Sequence, residues 1–159
     1  MSAFNPQALL KAAVTGKTST KMVAAPAGDY VGVLTKVDVG AQVIKNGERA
    51  GETFYKAVYT VDVDGDPKLD AAGLSPKRKF RIECLLDITP NGGLDMGLGK
   101  NVALGRLREA VDQNWDNQEW DMGMPIGRPV KFTVFHEPDP KDAENIFERI
   151  KGVRSPSVD

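Results

Sequence analysis

The chain has 159 residues, enough for one domain with a real hydrophobic core. Its formal net charge of -1 gives no bulk attraction to nucleic acid, so any such binding must come from cations gathered on one face. The single cysteine, Cys84, excludes an intrachain disulfide, and no apolar run reaches the ~20 residues of a membrane-spanning helix.

Residues 1–27 are predicted to form a short N-terminal helix and a flexible connector. Asn5 is a good N-cap and Pro6 a good first helical residue, so a helix is expected from Pro6 to Val14. It is too short to stand alone and must dock or fray. No basic leader precedes an apolar core, so no signal peptide is expected. The connector, Thr15 to Ala27, is rich in small and polar residues.

Residues 28–153 read as one β-rich domain and 154–159 as a tail. The first strand, Gly28 to Gly40, alternates Val31, Val33, Val37 and Val39 against Tyr30, Gly32, Leu34, Lys36 and Asp38. The valines are expected inside. A loop or hairpin tip at Asn46-Gly47 leads to a second strand, Glu52 to Val63. There Tyr55, Ala57, Tyr59, Val61 and Val63 oppose Phe54, Lys56, Val58 and Thr60. After a turn, the third strand sets Phe80, Ile82, Cys84, Leu86 and Ile88 against Lys77, Lys79, Arg81 and Glu83. The glycine-rich TPNGGLDMGLGK then switches the period from two to helical, with Val102, Leu104, Leu107 and Val111 on one stripe. A fourth strand covers Val130 to Phe135, a proline-containing loop follows, and NIFERIKGV is the fifth strand. Trp115 and Trp120 are expected to plug the core or anchor the helix.

Three strands, a helix and two strands is the pattern of a mainly β, five-stranded Greek-key barrel of the OB type. An open α+β sheet is the alternative.

Nothing in the chain points to catalysis. Gly16-Lys17-Thr18 ends like a phosphate-binding loop, but the required earlier glycine position holds Lys11, and Gly99-Lys100 fails the same spacing at Leu94. Asp62, Asp64, Asp66 and Asp70 begin like a calcium loop, but Pro67 and Gly73 occupy the positions that need glycine and glutamate. A Mg²⁺-dependent nuclease using these carboxylates with Glu83 and Asp87 is a weaker reading. His136 has no second histidine with which to hold zinc. No catalytic residue, metal or cofactor is expected.

The polar sheet face is more informative. Tyr30 and Lys36, Phe54 and Lys56, and Lys77, Lys79 and Arg81 would lie side by side on three strands. Rings interleaved with cations suit single-stranded nucleic acid, because bases stack on rings whatever their sequence and cations neutralise phosphates. Lys45 and Arg49, in the loop between strands one and two, would clamp the strand from above.

The stretches FYKAVYTVDVDG, KRKFRIECLLDITPNGGLDMGLGKNVALGRLREAVDQN and MPIGRPVKFTVFHEPDPKDAENIFERIKGV resemble a group of small phage-encoded OB-fold proteins that act as single-stranded DNA-binding proteins in phage replication and recombination. The resemblance implies an OB fold, stoichiometric coating of single-stranded DNA, phage replication or recombination proteins as partners, and the host cytoplasm as location. Bases would lie over Phe54, Lys56, Lys79 and Arg81. The final RSPSVD departs from the acidic tail of many such proteins. The competing expectation is a phage structural or scaffolding protein that self-assembles into a homo-oligomer through edge strands and the N-terminal helix.

Overall fold

The computed structural model describes residues 4–158. Five strands, β1 (Gly28–Val43), β2 (Thr53–Asp64), β3 (Lys77–Leu86), β4 (Pro129–Asp139) and β5 (Asp142–Arg154), form one sheet in the order β3-β2-β1-β4-β5. Every neighbouring pair is antiparallel. Three short helices complete the fold, α1 (Pro6–Leu10), α2 (Pro67–Ala71) and α3 (Val102–Ala110). None is long and apolar enough to cross a membrane among the described residues.

Period-two alternation drives β2 and β3. Ala57, Tyr59, Val61 and Val63 are buried beside Phe80, Ile82, Cys84 and Leu86. Burial pushes the Cys84 thiol up to about 11. Tyr59 donates its hydroxyl to Met122 O at 2.8 Å, and desolvation raises its phenol well above the usual range.

The first strand is inverted relative to expectation. Tyr30 and Leu34 are buried, while Val31 and Val33 are 49% and 41% exposed. The reason is a β-bulge between Leu34 and Lys36, which shifts the register against β2. Before the bulge even-numbered residues point inward; after it Val37 pairs with Tyr59 and turns in, leaving Lys36 outside. A single alternation drawn through Gly28–Gly40 mixes the two faces. Gly32 marks the closest approach of β1 to the core, since a Cβ there would stand 2.5 Å from Val61 Cγ1.

The sheet does not close into a barrel. β3 and β5 share no ladder, and α3 packs against both of these edges instead. Leu104, Leu107, Ala110 and Val111 fill the space a closing ladder would have narrowed. One ion pair crosses the seam, Arg78 to Glu148 at 2.5 Å.

Other boundaries moved for local reasons. The expected turn after β2 contains α2, capped by the Asp66 side chain on Lys68 N–H at 2.8 Å and held by fully buried Leu69. The expected proline loop before β5 is mostly strand, with Pro138 paired to Ile146 beside a register shift. α1 ends at Leu10, four residues before the expected Val14, and none of its residues is buried.

Candidate nucleic-acid interface

The antiparallel register decides what stands beside each cation. Outward on β1–β2–β3, Lys36 aligns with Thr60 and Arg81, Asp38 with Val58 and Glu83, and Asp62 with Lys79. Opposite charges therefore meet. Lys79 Nζ lies 3.0 Å from Asp62, Lys36 3.3 Å from Asp38, and Lys56 3.5 Å from Glu83. In the β1–β2 loop Arg49 holds Glu52 at 2.7 Å, and Lys45 is exposed nearby. Phe54 is half-buried opposite Gln42. The face expected to be cationic is thus largely a ladder of ion pairs.

Tyr30 is not on this face. It is 1% exposed, with its ring 5.2 Å from Phe80 and 6.0 Å from Phe132, and its hydroxyl donates to Pro26 O at 2.6 Å. Burial raises its phenol. It belongs to the core because it precedes the bulge.

Lys77, Lys79 and Arg81 do project outward from β3. Lys79 and Arg81 line one lip of a cleft of about 700 Å³ that runs between the free edges of β3 and β5. Arg149 and Lys151 of β5 line the opposite lip, and Arg106 of α3 joins them. Glu83 and Glu148 are the acids on the same lining, so cations outnumber acids there. Lys77 and Arg81 make no ion pair among the described residues, and Glu148 is already engaged by Arg78.

The interleaving of rings and cations sought on β1–β3 occurs on β4–β5. Phe135 pairs with Arg149 and Thr133 with Lys151, all outward. The Arg149 guanidinium lies 4.9 Å from the Phe147 ring centroid and Lys151 Nζ 5.1 Å from that of Phe135. Arg149 also reaches Glu137 at 3.2 Å, across an exposed surface. Farther along, Arg154 meets Asp29 at 3.2 Å; the Asp29 carboxyl is held below its usual range, mainly by the hydrogen bond it accepts from Thr133 and also by Arg154. Phe135, Phe147, Arg149, Lys151 and Arg106 were not singled out from sequence. The signal was present in NIFERIKGV, where Phe147, Arg149 and Lys151 alternate with Ile146, Glu148 and Ile150.

Three aspartates of the nuclease reading, Asp62, Asp66 and Asp87, have structural partners. Asp62 binds Lys79 and accepts from Thr35, and Asp66 caps α2. Asp87 accepts from the backbone N–H of buried Asn101 at 2.9 Å, while the Asn101 side chain clasps the Asp87 backbone and Asp95 O. Asn101 adopts φ 52° and so locks the glycine-rich loop to the start of α3. No group of three potential metal ligands forms among the described residues.

Of the two tryptophans expected to plug the core or anchor the helix, Trp120 packs half-buried on the core with Arg108 of α3 over its ring, whereas Trp115 is 62% exposed and donates its indole N–H to Asp112 O just past α3 at 3.2 Å. A scan against protein-family models gives no match for this chain, and a search of curated proteins gives none.

Proposed function

We propose that the protein binds single-stranded DNA without strong sequence preference and coats it stoichiometrically. The observation that carries this reading is the cleft between β3 and β5, with Arg149 and Lys151 set over phenylalanine rings on one lip and, on the other, Arg81, free of ion pairs among the described residues, beside the Asp62-paired Lys79. Phosphates would run along the cleft, where cations exceed acids, and bases would stack on Phe135 and Phe147 at ~1–3 kcal/mol each. Lys36, Lys45, Arg49, Phe54 and Lys56 drop to the margin of the site, and Tyr30 leaves it.

A central β1 flanked by β2 and β4, with the two edge strands meeting across a helix-filled seam, supports an OB-like barrel left open at one seam. Action in phage replication or recombination, beside the proteins of that process, rests on the sequence resemblance.

The test is fluorescence anisotropy with labelled oligo-dT and a matched duplex, with and without Mg²⁺. We expect binding to the single strand, no cleavage, and weakening as salt rises, at ~0.7 log units per phosphate contact per log unit of salt. The Arg149→Ala, Lys151→Ala double variant should lose most of that affinity. Equal binding by this variant, or none by the parent protein, would end the reading.

A further inference from the structure

The inward rows of β3 and β5 each change from apolar to charged at one point. On β3 the row of Phe80, Ile82 and Cys84 is preceded by Arg78, and on β5 Ile150 is preceded in its row by Glu148. Four antiparallel pairings separate β3 from β5, so the two strands run the same way and both charges stand at the same end of the open seam. The lining of the cleft begins there, at Lys79 on one lip and Glu148 on the other, and runs to Glu83 and Val153. Arg78 is not on that lining.

Across this end the Arg78 guanidinium bonds Glu148, with 20% and 29% of the two side chains exposed. Arg78 Nε and Glu148 Oε2 are buried and have no hydrogen-bond partner among the described residues, so the pair depends on one bond. Removing one partner strands the other charge in a half-buried site. The segment before β1 ties the same two edges. Residues 21–26 cross the end of the seam as a strap whose carbonyls are taken by three strands. Arg78 Nη2 donates to Val23 O at 3.4 Å, the His136 ring N–H donates to Ala25 O at 2.6 Å, and the Tyr30 hydroxyl donates to Pro26 O. Lys21 pairs with Asp142 at the start of β5, and Ala25 is fully buried. Arg78 joins this strap to the ion pair.

We propose that Arg78 and Glu148 are positioning residues of the cleft. Their bond is a latch that sets how far the lip carrying Lys79 and Arg81 stands from the lip carrying Arg149 and Lys151, and so whether one run of phosphates meets both. The effect on binding rests on the single-stranded DNA reading; the latch itself does not. The consequence is a reversal of sign. Glu148 is an acid on a cationic cleft, and by charge alone its loss should tighten binding to a polyanion. As half of the latch, its loss lets the lips part, and binding weakens.

Two measurements on the full chain keep the latch and the DNA reading apart. The first contains no nucleic acid. Spin labels on Lys77→Cys and Glu144→Cys, at exposed positions off the cleft lining with Cys84 buried, report the distance between the two edges by pulsed electron resonance. The labelled parent should give one narrow distance and Arg78→Gln or Glu148→Gln a broad one. Arg78→Glu with Glu148→Arg, which restores the pair in reverse, should give a narrow one again. A distance as narrow in Arg78→Gln as in the parent overturns the latch, whether or not the protein binds DNA. The second measurement is oligo-dT anisotropy on the same variants, each with a cooperative melting curve. Glu148→Gln should weaken binding on the order of tenfold, within the range of couplings between groups in contact. It should also lower the salt slope, since phosphates leave one lip. Tighter binding by Glu148→Gln would make Glu148 an ordinary acid on the lining and overturn the positioning role. A parent that binds no oligo-dT while the distances respond as expected would end the nucleic-acid reading and leave the latch standing.

Discussion

The outer faces of β1–β2–β3 and of β4–β5 are both rich in lysine and arginine, and they differ in what those cations touch. On the first face antiparallel register brings Asp62 opposite Lys79, and Glu83 reaches Lys56. On the second it brings Phe135 opposite Arg149 and Thr133 opposite Lys151; Arg149 also reaches Glu137, while Lys151 has no acid partner among the described residues. Counting cations on a strand therefore says little about the potential of a sheet face. The cross-strand neighbour decides whether a lysine is already satisfied or still available to a phosphate.

The largest effect that can break this comparison comes from Tyr30. Tyr30→Ala should remove about 3–5 kcal/mol of folding stability, because it leaves a cavity beside Phe80 and Phe132. Chemical denaturation measures it directly. A Tyr30→Ala protein that keeps its midpoint but loses DNA would return Tyr30 to the binding face. The next effect is on stacking. Phe147→Ala should cost ~1–3 kcal/mol of affinity for oligo-dT while the salt dependence stays unchanged, whereas Phe54→Ala should leave affinity near that of the parent. The reverse ranking would move the bases back over β2. Smaller again is the removal of one cation. Lys151→Ala, which removes a cleft cation with no acid partner among the described residues, should lower the slope of log affinity against log salt by ~0.7, the share of one phosphate contact on a single strand.

Much of the fold was legible because β2, β3 and α3 have one unbroken period each. The strand order three, helix, two and the buried faces of Ala57–Val63 and Phe80–Leu86 follow from alternation alone. The inversion of β1 was not legible. A bulge is one extra residue in a strand, and Val31 and Val33 looked as apolar as the buried Tyr30 and Leu34. The open seam was hidden for a different reason: whether β3 pairs with β5 depends on how far α3 holds them apart, which no local pattern records. At the candidate site, parity gave the outward direction of Lys79 and Arg81 on β3. Phe135 and Phe147 were not singled out because they meet Lys151 and Arg149 only through the β4–β5 register and ring contacts, and Arg149 and Lys151 reach Lys79 and Arg81 only across the cleft.

The smallest effect is also the sharpest test of where the interface ends. Lys36 stands two strands from β3, in the row that contains Thr60 and Arg81. Its ammonium is 3.3 Å from Asp38, and both side chains are more than half exposed, at 65% and 62%. An exposed pair of this kind contributes at most about 1 kcal/mol to stability, so Lys36→Gln should leave the melting curve close to that of the parent. A cation already beside an acid releases few counterions from a phosphate, so the salt slope should not move either. Asp38→Asn is the complementary change: it frees Lys36, yet at two strand spacings, ~10 Å, from β3 the freed charge lies about a Debye length from the cleft and is mostly screened. Both variants should therefore bind oligo-dT as the parent does. If Lys36→Gln instead lowers the slope by ~0.7, the DNA crosses the whole sheet, and the contrast between a satisfied face and an available one collapses.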